Sequence, residues 1–489
     1  MIKETLKEKT AKGLLWGSFS NTVQQFLFIG FNIFVARILN SEDYGLIAML
    51  NIFTAFAATM INAGFSTALI NRQNTTHSDY NAVFWFTSGM GLFLYIILFF
   101  AAPAIADFYR QPELTCLSRV VFVNFFISGA SIASSAIIYK QLKTKLVAKI
   151  NITSVLASCV AGLVLALNGF SYWSLAIQNL IFISGSAILR MVCVSWRPSF
   201  TFDFRPLKQM FSFSIKMFLT NLIININNNI FAVALGKFYN SRLLGDYSQG
   251  KKWTDVCNQL ITGIIIQISH PVLVQVTDNR ERELRVFRKM FRFAAFIAFP
   301  AFIGLVFIAH EFIVITIGEK WLPSVVILRI LCIYGALSPF YLLYTQLIIA
   351  HSNSSAYLYG NILMVVIQLI FLAILLRFGI IYVAAGTVMS YMFCLPYWHF
   401  VCKKYIDIKL TDVLKDILPY LTVSVVSIFL GWIAALPVGL ITSLPFDSMY
   451  LSFAIKIAVT ASAYLLLLWI CGSKLLHESV EMLRQYVKK

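Results

Sequence analysis

Charge is scarce in this chain, and acidic charge is scarcest. Only 12% of the 489 residues are charged, and they divide into 21 acidic and 39 basic side chains. A soluble domain needs a charged shell to keep its apolar residues from water. With 59% hydrophobic residues and a mean hydropathy of +0.79, this chain has too little shell for that. The short motifs of cofactor chemistry are missing too. Eight cysteines form no C-x-x-C pair and six histidines no H-x-x-x-H pair, which argues against a disulfide framework or a zinc site. No G-x-x-x-x-G-K-[ST] occurs, so the chain carries no ATPase of its own and no cofactor is expected. Stretches such as Ile96-Ile97-Leu98-Phe99-Phe100 do not alternate as barrel strands do. The first apolar segment is too long for a signal-peptide core and reads as a retained span.

What the chain does contain is a series of long apolar segments, about fourteen of them, each long enough to cross a bilayer. They run over 13–36, 46–71, 82–106, 114–138, 150–167, 171–194, 210–236, 244–276, 293–309, 324–350, 356–376, 380–401, 417–436 and 450–471. The expected class is therefore an all-α polytopic membrane protein. The formal charge of +18 suggests a nucleic-acid partner, but topology explains it better. With the N-terminus in the cytosol, 26 of the 39 Lys and Arg residues fall in cytosolic segments, 6 on the opposite side and 7 inside the spans. That asymmetry is the positive-inside bias. It places both termini in the cytosol and assigns the basic residues to orientation and to membrane lipid headgroups. Arg190, Arg119, Arg329 and Lys456 lie near span ends and are expected to snorkel.

The chain also repeats itself. Asn40-Ser41-x-x-x-Gly45 returns 200 residues later as Asn240-Ser241-x-x-x-Gly245, and Asn151, Gly169 and Tyr172 return as Asn361, Gly379 and Tyr382 after 210. Two ordered sets at nearly one offset indicate a duplicated half. In membrane proteins that architecture suits a transporter.

Polar residues at helical spacing mark the same two spans in each half. The first span carries Ser18, Asn21, Gln25 and Asn32; the second carries Asn51, Thr54 and Asn62. The seventh carries Lys216, Asn221, Asn225, Asn228 and Asn229; the eighth carries Lys251, Lys252, Asp255, Asn258, Gln259, Thr262 and Gln267. Such faces are disfavoured against lipid tails, so they are expected around one water-filled central cavity between the halves. The competing reading makes each Asn or Gln a hydrogen-bonded link between packed helices. Lys251 and Asp255 stand at i and i+4 and are expected to pair. One carboxylate against two ammonium groups leaves that turn net cationic. Lys216 has no acidic residue within a turn along the sequence. The candidate substrate-binding set is Lys216, Lys251, Lys252, Asp255, Asn21, Gln25, Asn62, Asn221, Asn225 and Asn258, suited to an anionic ligand, above all a phosphate. Pro271, Pro300, Pro339 and Pro396 are candidate hinges. The tail from Lys474 reads as an amphipathic helix on the cytosolic surface.

Three motifs in order carry a family resemblance: Leu39-Asn40-Ser41-Glu42-Asp43-Tyr44-Gly45, Leu244-Gly245-Asp246-Tyr247-Ser248 and Gly318-Glu319-Lys320-Trp321. Over nearly its whole length the chain resembles the polysaccharide transporter family, the O-antigen-type lipid-linked oligosaccharide flippases of the multidrug/oligosaccharidyl-lipid/polysaccharide exporter superfamily. The resemblance implies two pseudo-symmetric six-helix lobes plus two C-terminal helices. On that scheme 1–209 is the N-terminal lobe, 210–416 the C-terminal lobe, 417–471 the two extra spans and 472–489 the cytosolic tail. It further implies an undecaprenyl-pyrophosphate-linked glycan as substrate, the bacterial cytoplasmic membrane as location, and a polysaccharide polymerase or glycosyltransferases as partners. The expected mechanism is alternating access, with no covalent chemistry. It would be driven by an ion gradient (H+ or Na+), the membrane potential or downstream consumption of product. A cation-coupled multidrug exporter of the same superfamily is the first alternative. It requires a carboxylate in the first span, and none occurs between Ala11 and Leu39. A membrane-embedded polysaccharide polymerase or ligase needs a large outer loop or a catalytic cluster, and the sequence offers neither. A scaffold without transport would leave the duplicated polar stripes without a purpose.

The charge split predicts a labelling pattern for single cysteines placed at Arg285 and Ser443 in a cysteine-free background. A membrane-impermeant thiol reagent added to intact cells should reach position 443 and spare position 285. Labelling at 285 from outside contradicts the topology.

Overall fold

The computed structural model describes residues 6–62, 64–201, 203, 205–436, 445–473, 475–478 and 481; of these, the side chains of 6–15, 18, 19, 206, 209, 211–214, 216, 217, 270, 271 and 445–448 are not described. The described residues form sixteen α-helices and no strand. They are α1 (Leu6–Ile38), α2 (Ser41–Asn62), α3 (Phe65–Asn71), α4 (His77–Tyr109), α5 (Leu114–Val121), α6 (Val123–Lys140), α7 (Thr144–Leu167) and α8 (Tyr172–Cys193). There follow α9 (Arg205–Phe238), α10 (Ser241–Val274), α11 (Arg280–Thr316), α12 (Leu322–Ala350), α13 (Ser354–Leu375), α14 (Ile380–Ile406), α15 (Leu410–Ala435) and α16 (Pro445–Ile470).

Thirteen stretches among the described residues are long and apolar enough to span a membrane, one for each expected segment after the first; the first expected segment falls on α1. The chain is a multi-pass membrane protein, and helices are the form that satisfies backbone groups without water. Two expected segments are subdivided. Gly64, at φ 77°, separates α2 from α3, and the chain passes from α5 to α6 at Phe122. Pro300, Pro339 and Pro396 all lie inside helices, while the Pro271 side chain lies outside the described residues. Large apolar side chains point outward, among them Phe100 at 75% exposure and Ile470 at 71%. In water that surface would be a liability; in hydrocarbon it is the expected exterior.

Packing divides the chain into unit 1, Met1–Gly245, and unit 2, Asp246–Lys489. In unit 1, α7 packs on α1 and α8, α6 packs on α4 and α8, and α9 packs on α2, α3 and α4. In unit 2, α11 packs on α12, α15 and α16, while α14 packs on α12 and α13. The lobe boundary at 209/210 follows the repeat rather than the packing and remains a proposal. Of the tail, Leu475 is buried and Glu478 pairs with Lys289 at 2.6 Å; 474, 479, 480 and 482–489 are outside the described residues.

The repeat residues do structural work. Asn240 accepts from the amide of Leu243 at 2.9 Å, and the amide of Asn40 donates to Asp43 at 2.9 Å, so both motifs hold a helix start. Within unit 1 the two glycines sit against each other's motif. A Cβ on Gly45 would lie 1.8 Å from the Ser241 carbonyl oxygen, and one on Gly245 would lie 1.8 Å from that of Ser41. Gly169 and Gly379 serve differently. At φ 80° and 113° both occupy the region that glycine enters without steric penalty, each turning the chain into the next helix. Gly318, at φ 99°, opens the turn that delivers the fully buried Trp321.

Gly45→Ala and Gly245→Ala each push a methyl group into backbone, which cannot move aside as a side chain does. Each is expected to destabilise by about 3 kcal/mol or more, read as a large fall in folded yield and in detergent-solubilised Tm. Gly89→Ala, with open space around it, should leave both unchanged.

Candidate functional site

Unit 2 holds the charged part of the expected site. Lys251 Nζ lies 2.7 Å from Asp255 Oδ2, and both side chains remain about one-third exposed, at 30% and 32%. The i, i+4 spacing on α10 brings them together, as the sequence predicts. Lys252, beside them, is half-buried and also engaged in the packed structure. Tyr247 and Tyr391 lie close enough to Lys251 to interact with its charge. One turn further along α10, Asn258 accepts a hydrogen bond from the Ser338 hydroxyl of α12, and its carbonyl accepts from Thr262 at 2.7 Å. Trp253, 5% exposed, anchors the opposite face edge-on to Phe312 at 5.0 Å.

Unit 1 holds the neutral part. Asn225 donates across the α9–α2 contact to the Thr59 hydroxyl, and its carbonyl accepts from Asn229 at 2.9 Å. Asn62 turns back to its own helix, donating to the Ala58 carbonyl at 3.2 Å. Asn21, Asn62 and Asn221 are exposed and Gln25 is half-buried. The Lys216 side chain lies outside the described residues. Asn225 and Asn258 thus each make a hydrogen bond to a neighbouring helix, Asn62 bonds within its own helix, and Asn21 and Asn221 are exposed.

Two basic residues expected to snorkel are held inside instead. Arg190 of α8 donates to Ser135 Oγ of α6 at 3.0 Å and to Asn151 Oδ1 of α7 at 3.2 Å. Lys456 of α16 pairs with Glu311 of α11 and lies 4.8 Å from the Phe307 ring centre. Both members of that pair are largely withdrawn from the surface, at 15% and 13% exposure. Low dielectric makes a lone ammonium there more unfavourable than the pair. Arg329 is exposed, as expected, and Arg119 rests over Phe99 at 4.4 Å. A further pair closes the α11 start: His351 Nε2 meets Glu283 Oε1 at 2.9 Å, the carboxylate is 1% exposed, and the imidazole stacks on Tyr405 at 4.3 Å. Sequence reasoning missed these pairs because no local spacing joins their members. Among the described residues no group of three or more His, Cys, Asp and Glu could hold a metal ion.

The helical fold of the described residues is shared with solved transporters. It superposes on a structure titled "Lipid II flippase MurJ, inward closed conformation" with TM-score 0.71, 15% identity and coverage of 94% of this chain and 99% of that one. An inward-facing multidrug resistance MATE family transporter of the MOP superfamily gives TM-score 0.64 at 14% identity, covering 78% and 95%. The fold is thus that of the MurJ and MATE transporters. Residues 34–326 match the family described as "Polysaccharide biosynthesis protein", and the chain belongs to that family. Relatives include the teichuronic acid biosynthesis protein TuaB of Bacillus subtilis, 28% identical over 58% of this chain and 59% of its own length. The lipopolysaccharide biosynthesis protein WzxC of Escherichia coli is 24% identical over 68% of each chain. A membrane protein in the cps region of Klebsiella pneumoniae is 23% identical over 99% of this chain and 100% of its own.

The Glu311–Lys456 pair gives a stability test. Glu311→Leu alone leaves an unpaired ammonium and should destabilise by about 3 kcal/mol, lowering Tm in detergent. Adding Lys456→Met should recover most of that loss. Equal destabilisation by the single and double variants contradicts the pairing.

Proposed function

We propose that this protein is a flippase that moves a lipid-linked oligosaccharide, the precursor of a bacterial surface polysaccharide, across the cytoplasmic membrane. The observation that carries the reading is a conjunction. A polysaccharide-biosynthesis sequence is folded as a MurJ-type transporter over 94% of its length. The carrier is taken to be undecaprenyl pyrophosphate, loaded in the cytosolic leaflet and released on the far side, with both termini in the cytosol. Transport proceeds by alternating access, without covalent chemistry, powered by an ion gradient or the membrane potential.

The physical problem is a pyrophosphate and a row of hydroxyl groups crossing hydrocarbon. Unaided, the burial of those groups is prohibitive. The chain answers with cations inside membrane helices. Lys251 and Lys252 lie together on α10, with Asp255 balancing one charge. Lys216, a residue of α9 in unit 1, is proposed as a further cation on the path. In this reading Lys216 and the Lys251–Lys252 pair replace the phosphate solvation shell at successive stages of the crossing. Asn21, Gln25, Asn62 and Asn221 offer amide groups to the sugar hydroxyls, while Asn225 and Asn258 hold helices in register. Drug export is the alternative favoured by the MATE likeness. It requires a carboxylate in the first span, and Ala11–Leu39 contains neither Asp nor Glu. Glycan assembly enzymes that make and consume the lipid-linked substrate are the implied partners.

A host dependent on this protein for surface glycan should respond to the lysines by charge. Lys216→Gln with Lys252→Gln should lower glycan export about tenfold, in line with the loss of charge-assisted hydrogen bonds, at unchanged protein level. The corresponding Arg double variant should retain more export. Normal export by the Gln double variant sinks the pyrophosphate role.

A further inference from the structure

We infer that Tyr334, Tyr341 and Tyr391 form a stacking platform for the sugar residues of the transported glycan. The inference rests on the flippase reading above and adds the element that recognises carbohydrate. Tyr334 and Tyr341 are seven residues apart on α12, and Tyr391 and Trp398 are seven apart on α14. Two turns separate each pair, so both rings of a pair share one helix face. The two faces meet in unit 2. The Tyr334 and Tyr391 ring centres are 4.5 Å apart at 57°, and those of Tyr341 and Tyr391 are 5.2 Å apart at 56°. Trp398, fully buried, stands edge-on behind Tyr341 at 5.3 Å and 78° and fixes its ring. The three tyrosines themselves are half-buried rather than fully enclosed.

One end of this row adjoins the ion pair. Tyr391 is near enough to interact with the charge of Lys251, and Tyr334 with that of Asp255. A pyrophosphate on the lysines therefore places the first sugars over the rings. The fold does not demand these side chains. Carried back by the 210-residue repeat, the four aromatic positions fall on Asn124, Ser131, Ile181 and Ile188, none aromatic, yet those helices pack in the same topology. Nor does apolar packing explain them. The chain uses 43 phenylalanines, and a phenol inside a membrane is favoured only where its hydroxyl finds a partner. A pyranose meets both requirements. Its C–H face carries partial positive charge against the negative ring face, and its hydroxyls meet the phenols and the Lys251–Asp255 pair. An acyl chain would use the ring faces but form no hydrogen bond to the hydroxyl groups, of which those of Tyr334 and Tyr391 also bond to each other.

The test uses the full chain in nanodiscs and two probes, undecaprenyl pyrophosphate bare and the same lipid bearing one N-acetylglucosamine. Wild type should bind the glycosylated probe more tightly. Tyr341→Ala and Tyr391→Ala should each weaken that probe about tenfold and leave the bare probe within about twofold, whereas Phe at either position should retain most of the sugar preference. Thermal unfolding checks each variant, and Tyr→Leu replaces any Ala variant that does not fold. Equal weakening of both probes, or of neither, overturns the platform. Equal affinity of wild type for the two probes overturns it while sparing pyrophosphate recognition, and binding of neither probe overturns the transport reading as well.

Discussion

A bilayer core offers no hydrogen-bond partner, and that constraint organises this protein. Backbone groups are satisfied within helices. Side-chain polarity then has three outlets, and each is used. Asn62 turns back to its own helix. Asn225 and Asn258 join neighbouring helices through Thr59 and Ser338. Charges are paired inside, as in Lys251–Asp255 and Lys456–Glu311. The lipid-facing exterior is left to phenylalanine and aliphatic residues. Against that background an ammonium held inside a span is informative, because a structural role alone would be met by an apolar residue.

The duplication separates what the fold needs from what the function added. Gly45 and Gly245 are retained in both copies because a Cβ on either meets backbone at 1.8 Å. Gly169 and Gly379 are retained because both stand at positive φ. The halves diverge elsewhere. Asn151 accepts from Arg190 in unit 1, while its counterpart Asn361 donates to the Tyr357 carbonyl in unit 2. The tyrosine row on α12 and α14 has no aromatic counterpart one repeat earlier. The two halves thus share a frame and differ in the side chains it carries.

Much of the fold was legible in the sequence because span length and apolar content are local properties. The fourteen segments, the repeat and the i, i+4 pair of Lys251 and Asp255 all follow from spacing along one helix. Interruptions were harder. Gly64 breaks the second segment through its backbone conformation, which composition alone does not reveal. Partners distant in sequence were invisible. Lys456 and Glu311 are 145 residues apart, and Arg190 reaches Ser135 and Asn151 across two other helices. Lys456 and Arg190 were read as surface-seeking cations because only their depth was known. The tyrosine row was missed for a similar reason: each ring alone looks like ordinary core, and only the meeting of two helix faces makes a platform.

A polysaccharide-biosynthesis sequence, a MurJ-type fold and cations set inside its membrane helices are the grounds for the proposed passage of a phosphate-linked glycan. Translocation in a purified system tests this most directly. The protein is reconstituted into liposomes carrying undecaprenyl-pyrophosphate-linked oligosaccharide in both leaflets, and a membrane-impermeant glycosidase is added outside. The account predicts that digestion proceeds to nearly all of the glycolipid with the protein present and stops at about half without it, since spontaneous crossing is blocked by the burial of phosphate and hydroxyl groups. Digestion that stops at the same half in both cases would contradict it.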